Sequence, residues 1–430
     1  MASARTRSVL ASNAGNTLEW YDFVIFAYLA PYLSQTFFPS DDRIAGLIQT
    51  YGVFAVGYFM RPLGGVLFGW IGDRLGRKRA LRVSIMAMMV PTTLMAVVPT
   101  HADIGVWAAA LLILLRIAQG LSVGGEQGGA ICYLVETAPA GRRGVFGSLA
   151  YTGTVFGILI GSAIVLLAKS LFTPDQMHEW AWRLPFAGGL VLGFVGLWLR
   201  RNLHETPDFL KARERGQLVI HPLMRLLRET PVDALKMVGM IVVGTVSFYT
   251  VFVWLPAYVP HFNSGASIDP QLASTVSLAV LLLFLPVGGW LADTIGYKRV
   301  LAVTAIGFAV LIVPIFLAAE AGALGLTWAL LVLFAINMAM PNGAAPVALT
   351  DMVPAHIRYT GVAVVMNVSV ALFGGTAPLI ATWLIEVTGS QTAPAWYVIA
   401  AGLISFLVIL TVRPSAEFGR DERARAQTTS

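Results

Sequence analysis

The chain has 430 residues, of which 57% are hydrophobic and only 12% charged. A soluble globular domain carries about 25% charged residues, so this composition excludes a soluble enzyme, a disordered chain and a disulfide-stapled secreted module, and it indicates an integral membrane protein. The net charge of +6 suggests nucleic acid or anionic lipid at first sight, but most Lys and Arg fall in segments expected on one side of the membrane, so the excess reads as topology and no nucleic acid is expected.

A spanning helix needs about 20 mainly apolar residues. Apolar runs between polar breaks predict twelve, at 13–37, 44–71, 80–99, 104–135, 144–168, 182–199, 237–260, 271–291, 300–319, 326–349, 359–386 and 393–412. They are far too long for barrel strands, and lipid tolerates only helices or closed barrels. The expected fold is therefore an all-α integral membrane protein. Lys and Arg cluster in the loops after spans 2, 4 and 8 and in the stretch 201–235. This places both termini in the cytoplasm and the chain in the cytoplasmic (inner) membrane. The arginines before span 1 look like the start of a signal peptide, but the run contains Glu19 and Asp22 and has no clear cleavage site, so it reads as a retained first helix.

Span 1 carries Glu19 and Asp22, which lie about 60° apart on one helical face. Span 2 carries Arg61, near the cytoplasmic end, where snorkelling would also explain it. Span 4 carries Arg116, Gln119, Glu126 and Gln127, with Gln119 and Glu126 about 20° apart. Ionisable groups inside spans are expensive and functional by default. Both polar stripes are expected to face the bundle interior. Asp22 is the first candidate for a proton carrier, Glu19 the second and Glu126 the third. If Arg116 turns toward a substrate carboxylate, the acid beside it is released to take up a proton. A purely structural ion-pair network is the alternative.

In span 5, Gly153, Gly157 and Gly161 form a small-residue pattern that permits close helix contact. Span 7 contains Phe248-Tyr249-Thr250-Val251-Phe252-Val253-Trp254-Leu255-Pro256, with a further proline at 260. This suits an outer gate with an aromatic lid, with the prolines breaking the outer end; Tyr249 is a candidate substrate hydrogen-bond donor. In span 10, Pro341 and Gly343 predict a bend that lets Asn337 and Asn342 reach substrate. Asn367 in span 11 is a further candidate. For all of these, helix–helix contact is the competing reading.

The chain repeats itself. Gly69-Trp70-Ile71-Gly72-Asp73-Arg74-Leu75-Gly76-Arg77-Lys78-Arg79 reappears as Gly289-Trp290-Leu291-Ala292-Asp293-Thr294-Ile295-Gly296-Tyr297-Lys298-Arg299. Glu136, Pro139, Ala140 and Arg143 are echoed by Asp351, Pro354, Ala355 and Arg358. A six-helix unit has been duplicated in parallel, so residues 1–200 and 236–413 are expected to form two pseudo-symmetric bundles, with 201–235 as cytoplasmic linker and 414–430 as a short cytoplasmic tail. Two such bundles can rock about a central site.

No metal site is expected, because no two of the six histidines lie at ligand spacing. The single cysteine, Cys132, forms no internal disulfide. The glycine clusters lack the Lys-Ser/Thr of a nucleotide loop, and no Ser–His or Cys–His pair supports catalysis, so the chain is not read as an enzyme and no cofactor beyond a proton gradient is expected.

The loop string resembles the signature of the major facilitator superfamily. Gly15-Asn16-Thr17-Leu18-Glu19-Trp20-Tyr21-Asp22-Phe23, Arg61-Pro62-Leu63-Gly64-Gly65 and the stretch from Arg116 through Gln119 and Gly120 to Glu126 resemble one subgroup, the metabolite:H+ symporters. Its members carry α-ketoglutarate, citrate, shikimate, dicarboxylates, or proline and betaine. The resemblance implies the major facilitator fold, alternating access and a functional monomer. It implies proton-coupled uptake of a small organic acid such as a di- or tricarboxylate or α-keto acid. A zwitterionic compatible solute such as proline or betaine is the alternative, and a membrane sensor without transport is another. The resemblance also implies that Asp73, with Gly69, Gly76 and Arg77, latches the cytoplasmic side against the N-terminus of span 11 near Arg358. Asp293 and Arg299 are the counterparts in the second copy, where Thr294 and Tyr297 replace arginines and predict a weaker latch. The osmosensing betaine carriers of this subgroup often have a long coiled-coil tail, and no heptad run follows Arg413 here, which counts against an osmosensor.

Overall fold

The computed structural model describes residues 16–40, 42–75, 77–123, 126–136, 138–200, 222–262, 270–354 and 358–414. Among them there is no strand, and the helices assemble into twelve rods. α1 comprises 16–28 and Ala30–Phe37; α2 comprises Arg43–Phe59 and Arg61–Leu75; α3 is Arg77–Met95. α4 comprises Val106–Ser122 and Glu126–Glu136, α5 is Arg143–Leu171 and α6 is Arg183–Arg200. α7 runs from Pro231–Phe248 through a widened turn, Tyr249–Trp254, into Leu255–Phe262. α8 is Pro270–Leu291, α9 is Tyr297–Glu320 and α10 is Leu324–Asp351. α11 joins Arg358–Ser369 to Ala377–Thr388 through a second widened turn, and α12 is Ala393–Thr411.

Proline explains most of the interruptions. Pro31 sits at the start of the second piece of α1 and Pro62 at that of α2, where its missing N–H costs nothing. Pro256 cannot donate to the carbonyl four residues back, which is that of Phe252. That freed carbonyl instead accepts the hydroxyls of Tyr28 at 2.6 Å and Ser274 at 3.1 Å. The expected break at the outer end of α7 is thus a widened turn whose spare acceptor ties α7 to α1 and α8. The expected bend in α10 is not a break: the helix continues through Pro341 and Pro346.

The first six and last six helices meet along two seams. α5 packs against α8 and α10, and α11 packs against α2 and α4. The seams are close because side chains are absent where backbones cross. A Cβ on Gly144 would strike the carbonyl of Gly289, and one on Gly289 that of Gly144. Within the first half, Gly157 presses against the carbonyl of Thr17, so α1 and α5 cross in direct backbone contact. Of the linker, residues 201–221 lie outside the described residues, and Pro222–Glu229 is a short helix whose buried Leu226 packs toward Gly361 at the start of α11.

Candidate substrate cavity and buried charges

The break in α2 at Pro62 places Arg61 inside the bundle, where it is 2% exposed. It does not snorkel. Its Nη2 donates to Glu19 Oε1 at 2.6 Å, and its Nε donates to Asn367 Oδ1 at 3.3 Å, on α11 in the other half. The guanidinium lies 5.2–5.4 Å from the ring centres of Trp20, Phe23 and Tyr58. Glu19, a candidate proton carrier, is thus the counter-ion of Arg61, and Asn367 bridges the two halves. Asn367 also donates from Nδ2 to the carbonyl of Ala363 at 3.0 Å.

One turn further along α1, Asp22 is completely buried, and neither of its oxygens accepts a hydrogen bond of ordinary geometry. Its electrostatic neighbours are Arg116 and the hydroxyl of Thr92. Arg116 is equally buried; its Nη1 donates to Gln119 Oε1 at 3.0 Å, while its Nε and Nη2 have no partner. Phe26 and Phe23 cover the guanidinium at 4.2 and 4.8 Å. Gln119 Nε2 continues the chain to Thr92 Oγ1 at 3.0 Å. Asp22 and Arg116 therefore face the interior together, as expected. Glu126 belongs to the second piece of α4, but its side chain lies outside the described residues.

A cavity of ≈ 790 Å³ of empty space opens between the halves. Trp20, Gln127, Tyr151 and Thr154 line it from the first half; Thr245, Phe248, Tyr249, Thr304 and Asn342 line it from the second. Among the described residues, no charged side chain is in its lining. Three of the candidate binding residues, Gln127, Tyr249 and Asn342, meet here. Arg116 and Gln119 do not line it; Arg116 is covered by the rings of Phe23, Phe26 and Phe54. Asn337 does not line it either: its Nδ2 donates to the carbonyl of Thr304 at 3.2 Å and so straps α10 to α9. Tyr249 reaches across to the first half. Its hydroxyl donates to Tyr58 at 3.0 Å, and its ring stands edge-on to that of Tyr58, at the centre of an aromatic cluster with Trp20 and Phe54.

The sequence reading missed Asn16, Trp20, Tyr58, Thr92 and Thr154. Asn16 Nδ2 donates to Thr154 Oγ1 at 2.8 Å, and Gln127 Nε2 donates to the same oxygen at 3.3 Å. Thr154 sits beside Gly153 in the stripe read only as packing. Its one signal was being a hydroxyl within that stripe.

At the cytoplasmic ends, both carboxylate oxygens of Asp293 accept backbone N–H groups at the start of α5, from Gly144 at 2.7 Å and Val145 at 3.0 Å. The first turn of a helix offers unpaired donors and positive dipole to such an anion. Arg358 pairs with Glu136 across the halves at 2.9 Å. The second copy thus makes a direct contact across the halves without the missing arginines. Tyr297 donates to Asp351 at 2.7 Å within its own half, and Arg299 donates to the carbonyl of Ile295 at 3.4 Å. In the first copy, Gly76 lies outside the described residues, as do the side chains of Asp73 and Arg77 and the surroundings of Gly69.

Comparison with known proteins places this geometry. The sequence pattern of the Major Facilitator Superfamily matches residues 14–369 and again 264–429. The chain is 32% identical over 420 residues to the proline/betaine transporter of Salmonella typhimurium, covering 95% of this chain and 84% of that one. It is 35% identical over 413 residues to a putative proline/betaine transporter of Staphylococcus haemolyticus, covering 95% and 88%. Its fold matches the proton:xylose symporter XylE bound to 6-bromo-6-deoxy-D-glucose, with a TM-score of 0.75 at 19% identity and 95% of each chain covered. The duplicated six-helix halves, the cavity between them and these matches agree: the chain belongs to the Major Facilitator Superfamily and is a multi-pass membrane transporter.

Proposed function

We propose that the chain takes up a zwitterionic compatible solute of the proline or betaine kind across the cytoplasmic membrane, together with a proton, by alternating access. The observation that carries this reading is the aromatic cavity, in whose lining no charged side chain stands among the described residues. A di- or tricarboxylate would enter with two or three negative charges and meet no cation among the described lining residues, and unpaired buried charge is very costly. A zwitterion brings no net charge. Its cationic end suits the rings of Phe248 and Tyr249 in the lining, since quaternary ammonium groups are held by aromatic faces. The names of the most similar relatives favour the same cargo over the organic acid expected first.

In this reading the proton site is Asp22. Protonating it would remove the counter-charge of Arg116. A buried cation left without its partner costs several kcal/mol, so the region would rearrange rather than remain sealed. Asp293 at the start of α5 and the pair of Arg358 with Glu136 would hold the cytoplasmic side closed until then. Counterflow in proteoliposomes tests the cargo: vesicles preloaded with glycine betaine or proline should trap labelled betaine or proline, while preloaded citrate or α-ketoglutarate should not drive exchange. Exchange of the carboxylates alone would restore the organic-acid reading, and binding without any flux would favour a sensor.

A further inference from the structure

We propose that neutral donors of Thr154, Trp20 and Gln127 form the receptor for the substrate carboxylate, with Thr154 at its centre. This rests on the zwitterion reading above. A hydroxyl has two lone pairs and one proton. Both lone pairs of Thr154 Oγ1 are taken, by Asn16 Nδ2 at 2.8 Å and Gln127 Nε2 at 3.3 Å. A helical threonine ordinarily returns its proton to the carbonyl four residues back. Here that carbonyl, of Ala150, receives Asn16 Nδ2 at 3.4 Å. The two amides therefore turn the hydroxyl proton away from themselves, on a residue that lines the cavity.

Trp20 supplies the second donor. It lines the same cavity, its side chain is 5% exposed, and its Nε1–H is buried with no partner. An indole N–H can only donate. Gln127, also in the lining, has a second amide hydrogen beyond the one given to Thr154. Donors fixed in advance in a dry site stabilise an anion without a full positive charge. They also release it more readily than a buried arginine would, as a carrier requires. The cationic end of the cargo then faces Phe248 and Tyr249 on the opposite wall. Asn16 is a positioning residue: it sets the direction of the Thr154 proton without lining the cavity.

The experiment is betaine uptake by the full chain in proteoliposomes, read as KM and kcat, beside the thermal midpoint of each variant in detergent. Thr154→Val keeps the shape and removes the donor. It is expected to raise KM about tenfold or more, as loss of a hydrogen bond to a charged group does, with a lower midpoint because the amides of Asn16 and Gln127 lose their acceptor. Thr154→Ser should stay within about threefold of the parent, the hydroxyl being kept. Asn16→Leu frees one lone pair and lets the hydroxyl swing back to Ala150, so it should raise KM as well, and it stands in where the valine variant does not fold. An unchanged KM in Thr154→Val, or a serine variant as poor as the valine, would overturn the receptor. Failure of the parent chain to transport betaine or proline at all would instead overturn the zwitterion reading, and this inference with it.

Discussion

Asp22 and Glu19 lie one turn apart on α1, yet their surroundings differ in kind. Glu19 is locked to Arg61 by a 2.6 Å bond, whereas Asp22 makes no such bond to Arg116. A locked carboxylate suits structure; one without a bonded partner suits proton exchange. Asp22→Asn is expected to abolish accumulation driven by a pH gradient while leaving betaine counterflow in place, measured as the ratio of internal to external betaine with and without the gradient. Accumulation equal to that of the parent would remove Asp22 from coupling. At the other pair, Glu19→Gln strands a buried guanidinium. Breaking one side of a buried pair costs about 3–5 kcal/mol. The thermal midpoint should therefore fall sharply, and the double variant Glu19→Gln with Arg61→Met should recover most of the loss. A double variant as unstable as the single one would show that Arg61 matters through its rings and Asn367 rather than through Glu19.

At the scale of elements, two crossings determine how the helices can move. Gly157 meets the backbone of Thr17, and a carbonyl cannot step aside as a side chain can. Gly157→Ala is expected to push α1 from α5 and disturb the contact of Asn16 with Thr154; overpacking of this kind costs about 1–3 kcal/mol. Lower yield of folded protein and a raised KM for betaine would be the signs, and a variant unchanged in both would contradict the tight crossing. Asp293→Asn keeps the shape but removes the anion from the α5 N-terminus. It should increase exposure of the cavity to the cytoplasm, read as faster labelling of Met240→Cys from that side with Cys132→Ser as background. Such pairings were only partly visible in sequence. Charges inside apolar runs stand out because lipid penalises them, so Glu19, Asp22, Arg61 and Arg116 could be picked at once. Their partners could not, since pairing Arg61 with Asn367 depends on how the two halves dock. Asn337 and Asn342 show the same limit. They lie about 140° apart on an ideal helix, so at most one could face the cavity, and periodicity in a helix apolar on every side did not say which. Thr154 was hidden for a different reason: its chemistry comes from two donors on α1 and α4, not from its own neighbours in the chain.

At the scale of the whole molecule, the proposed cargo and proton together determine what would drive uptake. A zwitterion carries no net charge, so each turn of the cycle with one proton moves one positive charge inward. That makes uptake respond to membrane potential as well as to pH. A potential of 100 mV contributes about 2.3 kcal/mol per charge, which is a concentration ratio of roughly 50. Betaine should therefore accumulate in proteoliposomes held interior-negative by a potassium diffusion potential, even with no pH difference imposed, and adding an inward proton gradient should raise the plateau further. A dicarboxylate entering with two protons would be electrically silent and respond to the pH gradient alone. The two cargoes are thus separated by one measurement, the plateau at zero pH difference as the potential is varied. In Asp22→Asn the same plateau should lose its dependence on potential, because no proton then travels with a neutral cargo. If the potential still drives accumulation in that variant, the moving charge is not the proton on Asp22, and Glu19 or Glu126 becomes the residue to replace next.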